Sequence, residues 1–212
     1  MSIFDLLFLL MMLGTVIVLV MAMVTVVLRR WTHLLRLLGC LLASWVAYLV
    51  LGTMIAVATP QHIQPIGEDR CFDEMCFAVT GYQRTPGIAA AGHITQAHGV
   101  FYIVDVRISS RARGRAQHET GRTGMLIDQT GHIYNPSAEG MRALAEADGP
   151  TPGLDTDLNP GESVTAKLVY DLPSDIRRPS FALGNSLLLY PPRIIIADDM
   201  HFLHKPTITP LE

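Results

Sequence analysis

VFYIVDVRIS, residues 100 to 109, is the stretch that decides how the second part of this chain folds. Val100, Tyr102, Val104, Val106 and Ile108 alternate with their neighbours, and side chains along a strand point to opposite faces with a period of two, so the run predicts a strand with one buried face. Working outward, β-type runs recur at Phe77–Tyr82, Met125–Ile127, His132–Tyr134, Ser163–Asp171, Phe181–Leu189 and Arg193–Ala197. Turn chemistry separates them at Asp128-Gln129-Thr130-Gly131, Asn159-Pro160-Gly161 and Tyr190-Pro191-Pro192. Only Ser137–Asp148 has a helical pattern, with Ser137 as its cap and Gly149-Pro150 as its stop. Short strands with one short helical insertion predict two sheets packed face to face.

The first 58 residues follow different rules. Half of all 212 residues are apolar and 17% are charged, and the excess is concentrated in two uncharged runs, residues 6–28 and 37–58. Each is long enough to cross the hydrocarbon core of a bilayer as a helix, at 1.5 Å per residue over about 30 Å. A secretory signal explains the first run poorly: no basic residue precedes it, and Arg29-Arg30 stand where a small-residue cleavage site belongs. The second run ends in Ala56-Val57-Ala58, a pattern that a signal peptidase reads, but its length favours a retained span.

Loops rich in Lys and Arg stay on the cytoplasmic side, and Arg29, Arg30 and Arg36 all flank the short connection between the two runs. The expectation is a two-pass membrane protein, with residues 1–58 as a helical hairpin, 59–75 as a tether, and 76–212 as a folded domain outside the cytoplasm. Gly39, Ala43 and Ala47 recur every four residues in the second run, a stripe that lets helix backbones approach closely within the hairpin or between two copies.

The order FYIVDVRISSRA, MLIDQTGHIYNPS, LNPGESVTAKLVYDLP resembles a family of bacterial immunoglobulin-like domains of unassigned function, which lie behind a lipoprotein signal or a membrane helix. The residues that carry the resemblance are Asp128, Gly131 and Tyr134 of a D-x-x-G-x-x-Y hairpin, Leu158, Pro160, Gly161 and Glu162 of an L-x-P-G-E turn, and Asp171 and Pro173. It covers roughly residues 76–184 and implies an immunoglobulin-like sandwich outside the cytoplasm. It brings no catalytic residue and no cofactor.

Candidate sites are few. Cys71 and Cys76 have four residues between them, so they lie neither at C-x-x-C redox spacing nor beside a second zinc-type pair. Placed outside the cytoplasm they predict a local disulfide, contributing about 2 kcal/mol because its loop is small. Cys40, inside the second run, is left unpaired. Two stretches carry metal-ligand types: Asp155, Asp157 and Asn159, without the Gly and Glu of an EF-hand loop, and Asp198, Asp199, His201 and His204, where an extended chain would send the two imidazoles apart. Arg111, Arg113, Arg115 and Arg122 form a run able to meet a polyanion, an acidic envelope protein or lipid headgroups.

Three of the 16 Lys and Arg and one of the 19 Asp and Glu precede residue 59, which leaves 13 against 18 beyond it. That acidic balance argues against nucleic acid. No nucleophile elbow, H-E-x-x-H or P-loop occurs. The sequence therefore points to a membrane-anchored module that binds or scaffolds something in the cell envelope. The alternatives are a metal-assisted hydrolase built on Asp198–His204 and a small membrane-complex subunit acting through its helices, as a homo-oligomer or with a partner.

Overall fold

The computed structural model describes residues 3–90, 92–185 and 205–212. The chain divides into a helical unit that ends at Gln61 and a β unit that begins at His62.

In the helical unit, α1 (Ile3–Val27) and α2 (Trp31–Ala58) form a hairpin. Both are long and apolar enough to cross a membrane. Phe8, Met11, Thr15, Val18, Ala22 and Thr25 of α1, and Leu34, Leu37, Leu41, Trp45, Tyr48 and Gly52 of α2, are among the less exposed positions. Their steps of three and four describe one seam along each helix. Trp45 Nε1 donates to Thr15 Oγ1 at 3.1 Å across that seam, and the Phe8 and Tyr48 rings lie 6.4 Å apart.

The turn is tighter than the sequence predicts. Helix α2 starts at Trp31, so the eight-residue loop expected at 29–36 shrinks to Leu28–Arg30, and Arg36 lies on the helix. Arg30 N–H donates to Thr25 O and Arg29 N–H to Val26 O, each at 2.9 Å, with Arg29 at φ +53°. This pattern satisfies two terminal carbonyls of α1 and places Arg29 where glycine is usual.

The β unit consists of β1 (Arg70–Phe72), β2 (Met75–Ala90), β3 (His93–Ser110), β4 (Arg122–Ile127), β5 (Ile133–Tyr134), α3 (Ala138–Asp148), β6 (Ser163–Leu172), β7 (Ser180–Asn185) and β8 (Ile208–Pro210). One antiparallel sheet has the order β1-β2-β3-β6 and the other β5-β4-β7-β8, so the unit is a β-sandwich. The core between the sheets holds Tyr102, Val104, Val106 and Ile108 of β3, as the alternation predicts, with Phe77, Leu126, Leu168, Tyr170 and Phe181.

The opposite face of β3 is also covered. Phe101 and Ile103 pack with Ile88, Val169 and the α3 residues Ala143 and Leu144 in a second cluster. Helix α3 sits so close that a Cβ on Gly140 would meet Val169 Cγ1 at 2.5 Å. Ser137 Oγ accepts from Gly140 N–H at 3.1 Å as the cap. The free edge of β6 is blunted by the same segment: Ser137 N–H donates to Val169 O, and Thr151 Oγ1 accepts from Lys167 N–H, both at 2.7 Å.

Residues 62–75, expected within a tether, belong to the sandwich. Ile63 bridges Ile208, Gly67 N–H donates to Val79 O at 2.7 Å, and β1 pairs with β2 in register Cys71↔Cys76. Only Thr59 to Gln61 lie between α2 and the β unit. The strand expected at Arg193–Ala197 and the second half of the one expected at Phe181–Leu189 lie outside the described residues.

Candidate functional site: a mixed-charge cleft at one end of the sandwich

Where β4 turns into β5 and β6 leads into β7, two loops enclose a cleft of about 360 Å3 lined by Asp128, Gln129, Thr130, Tyr134, Pro173, Asp175, Ile176 and Arg177. Its size is at the lower end of small-molecule pockets, about 300–1,000 Å3.

Local chemistry fixes one wall. Asp128 Oδ1 accepts from Thr130 N–H at 2.8 Å, Thr130 Oγ1 at 2.7 Å and His132 N–H at 2.9 Å, and Tyr134 OH donates to Oδ2 at 3.3 Å. Gly131 completes the turn at φ +85°, a conformation that glycine adopts without cost. The Thr130 hydroxyl, then the backbone donors, hold Asp128 below the usual carboxylate range against the opposing effect of desolvation. Tyr134 is raised, first by desolvation, then by the charge of Asp128 and, more weakly, that of Asp175.

Tyr102 anchors the other wall from inside the core. Its OH donates to Ile176 O at 3.0 Å, and its ring stacks on Tyr82 at 6.4 Å with the Arg84 guanidinium 5.1 Å from its centroid. Tyr102 is itself raised, chiefly by burial. Asp175 and Arg177 stand exposed at the rim. The cleft thus offers carboxylates, an amide, a guanidinium and a hydroxyl around the apolar atoms of Tyr134, Pro173 and Ile176. Such a lining can bind a polar ligand through hydrogen bonds.

The cysteines meet as Cys71–Cys76, with S–S 2.01 Å, across the β1–β2 pair, and Cys40 is free and exposed on α2. Gly39, Ala43 and Ala47 are exposed and lie off the seam that α2 shares with α1, so the stripe does not pack within the hairpin. Asp157 is taken by His118 Nδ1 at 2.8 Å, and Asn159 donates to Glu162 Oε2 through N–H at 2.9 Å and Nδ2 at 3.0 Å. Asp155 is exposed, and among the described residues no three His, Cys, Asp or Glu side chains are placed to share a metal ion. Asp198, Asp199, His201 and His204 lie outside the described residues.

The arginine run does not act as one patch. Arg122 is a correction: its side chain is 3% exposed, it donates to Glu119 Oε1 from Nε at 3.0 Å and Nη2 at 2.8 Å, and it lies 3.5 Å from the Phe72 ring centroid. Arg111 shares Asp69 with Arg107, at 3.2 and 2.9 Å, and the hydrogen bond from Arg107 leads the effects that keep Asp69 low. Arg113 and Arg115 remain exposed.

No protein-family model matches the chain, and no curated protein matches it significantly. Among solved structures, a conserved hypothetical protein from Bacillus anthracis is 13% identical, over 58% of this chain and 91% of its own, with a TM-score of 0.48. An uncharacterized β-sandwich protein from Clostridium difficile is 11% identical over 73% of this chain and 96% of its own, with a TM-score of 0.43. A secreted protein from Mycobacterium tuberculosis is 10% identical over 61% of this chain and 94% of its own, with a TM-score of 0.40. Likenesses of this degree assign neither a residue role nor an activity here.

The cleft residues were visible in the sequence only as turns. Asp128, Gly131, Tyr134 and Pro173 are motif positions of the family resemblance, and the missed signal is that two such turns converge at one end of the sheets.

Proposed function

We propose that the protein is a two-pass membrane-anchored module whose β-sandwich lies outside the cytoplasm and binds an envelope component through the cleft, without chemistry of its own. The observation that carries this reading is the Cys71–Cys76 disulfide in the β unit, because disulfides persist in oxidising compartments. The arginines of the tight helical turn support the same orientation. The strand order supports an immunoglobulin-type sandwich: β2-β3-β6 and β5-β4-β7-β8 correspond to A-B-E and C′-C-F-G, with α3 in place of strand D.

A photo-crosslinking residue at Gln129, in native membranes, tests the binding site. The expected result is a discrete adduct that weakens with Asp175→Ala and is missing when the same residue is placed at Glu146. Equal labelling from both positions counts against the cleft.

The exposure of Gly39, Ala43 and Ala47 favours a second reading, in which α2 assembles with another helix. Ala43→Leu would then change the oligomer or complex seen in mild detergent, while an unchanged assembly refutes that reading.

A further inference from the structure

The end of the β2–β3 hairpin is an arm bent away from the sheet and folded over α3. Thr85 pairs with Phe101 and Gly87 with Gln96, so Pro86 stands opposite the four residues Ala97–Val100, and β6 begins to pair with β3 only at Val100↔Leu172. Beyond this bend, Ile88 and Ala90 are buried, and Ile88 joins Ala143 and Leu144 of α3 in the outer cluster.

One carboxylate pins the bend. Asp171 Oδ2 accepts from His98 N–H at 2.9 Å, Asp171 Oδ1 accepts from Gly99 N–H at 3.1 Å, and the His98 ring Nδ1 lies 2.9 Å from Oδ2. Gly99 is required there, since a Cβ would fall 2.1 Å from Leu172 O. Near the tip, His93 Nε2 lies 3.6 Å from Glu146 Oε2 of α3. Both imidazoles therefore face carboxylates on the elements the arm rests on: Asp171 of β6 and Glu139 of α3 for His98, and Glu146 of α3 for His93. Arg142, the cation of α3, donates from Nε to Ala138 O.

We infer that the β2–β3 arm is a proton-dependent strap, fastened over α3 when His98 is charged and loosened when it is neutral. The hydrogen bond to Asp171, and then the charges of Asp171 and Glu139, raise His98 above its ordinary value. Partial burial pushes Asp171 up, but the bonds from His98 and Gly99 outweigh it and leave it below the usual carboxylate range. The contribution of His98 is thus complete below about pH 6.5 and is lost as the pH rises through its higher folded value. Loosening the arm uncovers Ile88 and the α3 face that carries Ala143 and Leu144.

Hydrogen exchange of the full chain in lipid nanodiscs tests this, after correction for intrinsic rates. Because the pairs are solvent-exposed, the protection of Ile88, Ala89, Ala90 and Ile94 should fall only about threefold from about pH 5.5 to about pH 8. Core amides of Val104 and Val106 should not change. The drop should vanish in the exposed-site variant His98→Gln. A pH-independent arm in the wild type, or a drop that survives in His98→Gln, overturns the strap. A core that loosens in parallel overturns it too.

Discussion

Replacing Arg122 by Met should destabilise the β unit more than any other substitution in the arginine run. The guanidinium is held from Nε and Nη2 by one oxygen of Glu119, whose side chain is 19% exposed, and its Cζ lies 3.5 Å from the Phe72 ring centroid. Removing one partner of a buried ion pair costs about 3–5 kcal/mol, much of it from the charge left behind. Glu119 retains some solvent, so the lower end applies, about 3 kcal/mol. With a urea slope of roughly 1–3 kcal/mol/M, the midpoint should fall by about 1–3 M. Both tryptophans, Trp31 and Trp45, lie in the helices, so the assay must follow tyrosine ellipticity or proteolysis of the β unit. Adding Glu119→Gln should recover about 1 kcal/mol or more, the coupling expected of residues in contact. Arg113→Ser and Arg115→Ser should stay within about 0.5 kcal/mol of wild type. An Arg122→Met loss below about 1 kcal/mol, or one matched by Arg113→Ser, would refute a buried structural role for Arg122.

Three further outcomes follow from the packing. Gly140→Leu should lift α3 from β6 and cost about 1–3 kcal/mol, read by thermal unfolding, because even a Cβ meets Val169. Thr15→Val should weaken the helical hairpin by about 0.6 kcal/mol, measured by forced or denaturant unfolding in detergent, as the Trp45 indole loses its acceptor. Asp105, on the outer face of β3, has a buried Oδ1 without a partner, and burial raises its folded value above 3.8. Its ionised form therefore penalises folding at neutral pH, and the penalty disappears as the pH falls through that raised value. Asp105→Asn should be the more stable protein at pH 7 by about 1 kcal/mol, with the gap closing on acidification in paired melts.

The β3 run shows why part of the fold was legible. Tyr102, Val104, Val106 and Ile108 alternate as a half-buried strand must, and α3 carries its cap and stop within fourteen residues. That Phe101 and Ile103 are also apolar makes FYIV a continuous hydrophobic run, the mark of a strand covered on both faces, and this locates α3 over it. Residues 62–75 carried no such periodicity: β1 is three residues long, and Ile63 is held by Ile208, a partner far along the chain. Charge spacing was equally silent about burial. Arg122 reads like Arg113 in sequence, and only the Phe72 ring and Glu119 separate their roles. The cleft depended on the convergence of two loops, from Asp128 and from Pro173, which no local pattern encodes.

The most direct test of the account is the side of the membrane on which the β unit lies. Cells expressing the full chain with Cys40→Ser leave Cys71 and Cys76 as the only thiols, and Cys71 is exposed. After mild reduction, an impermeant thiol reagent should label them with the cytoplasmic membrane intact, and labelling should fall sharply if reduction is omitted. Labelling that needs the membrane opened, or that is unchanged without reductant, would contradict an extracytoplasmic, disulfide-stapled domain.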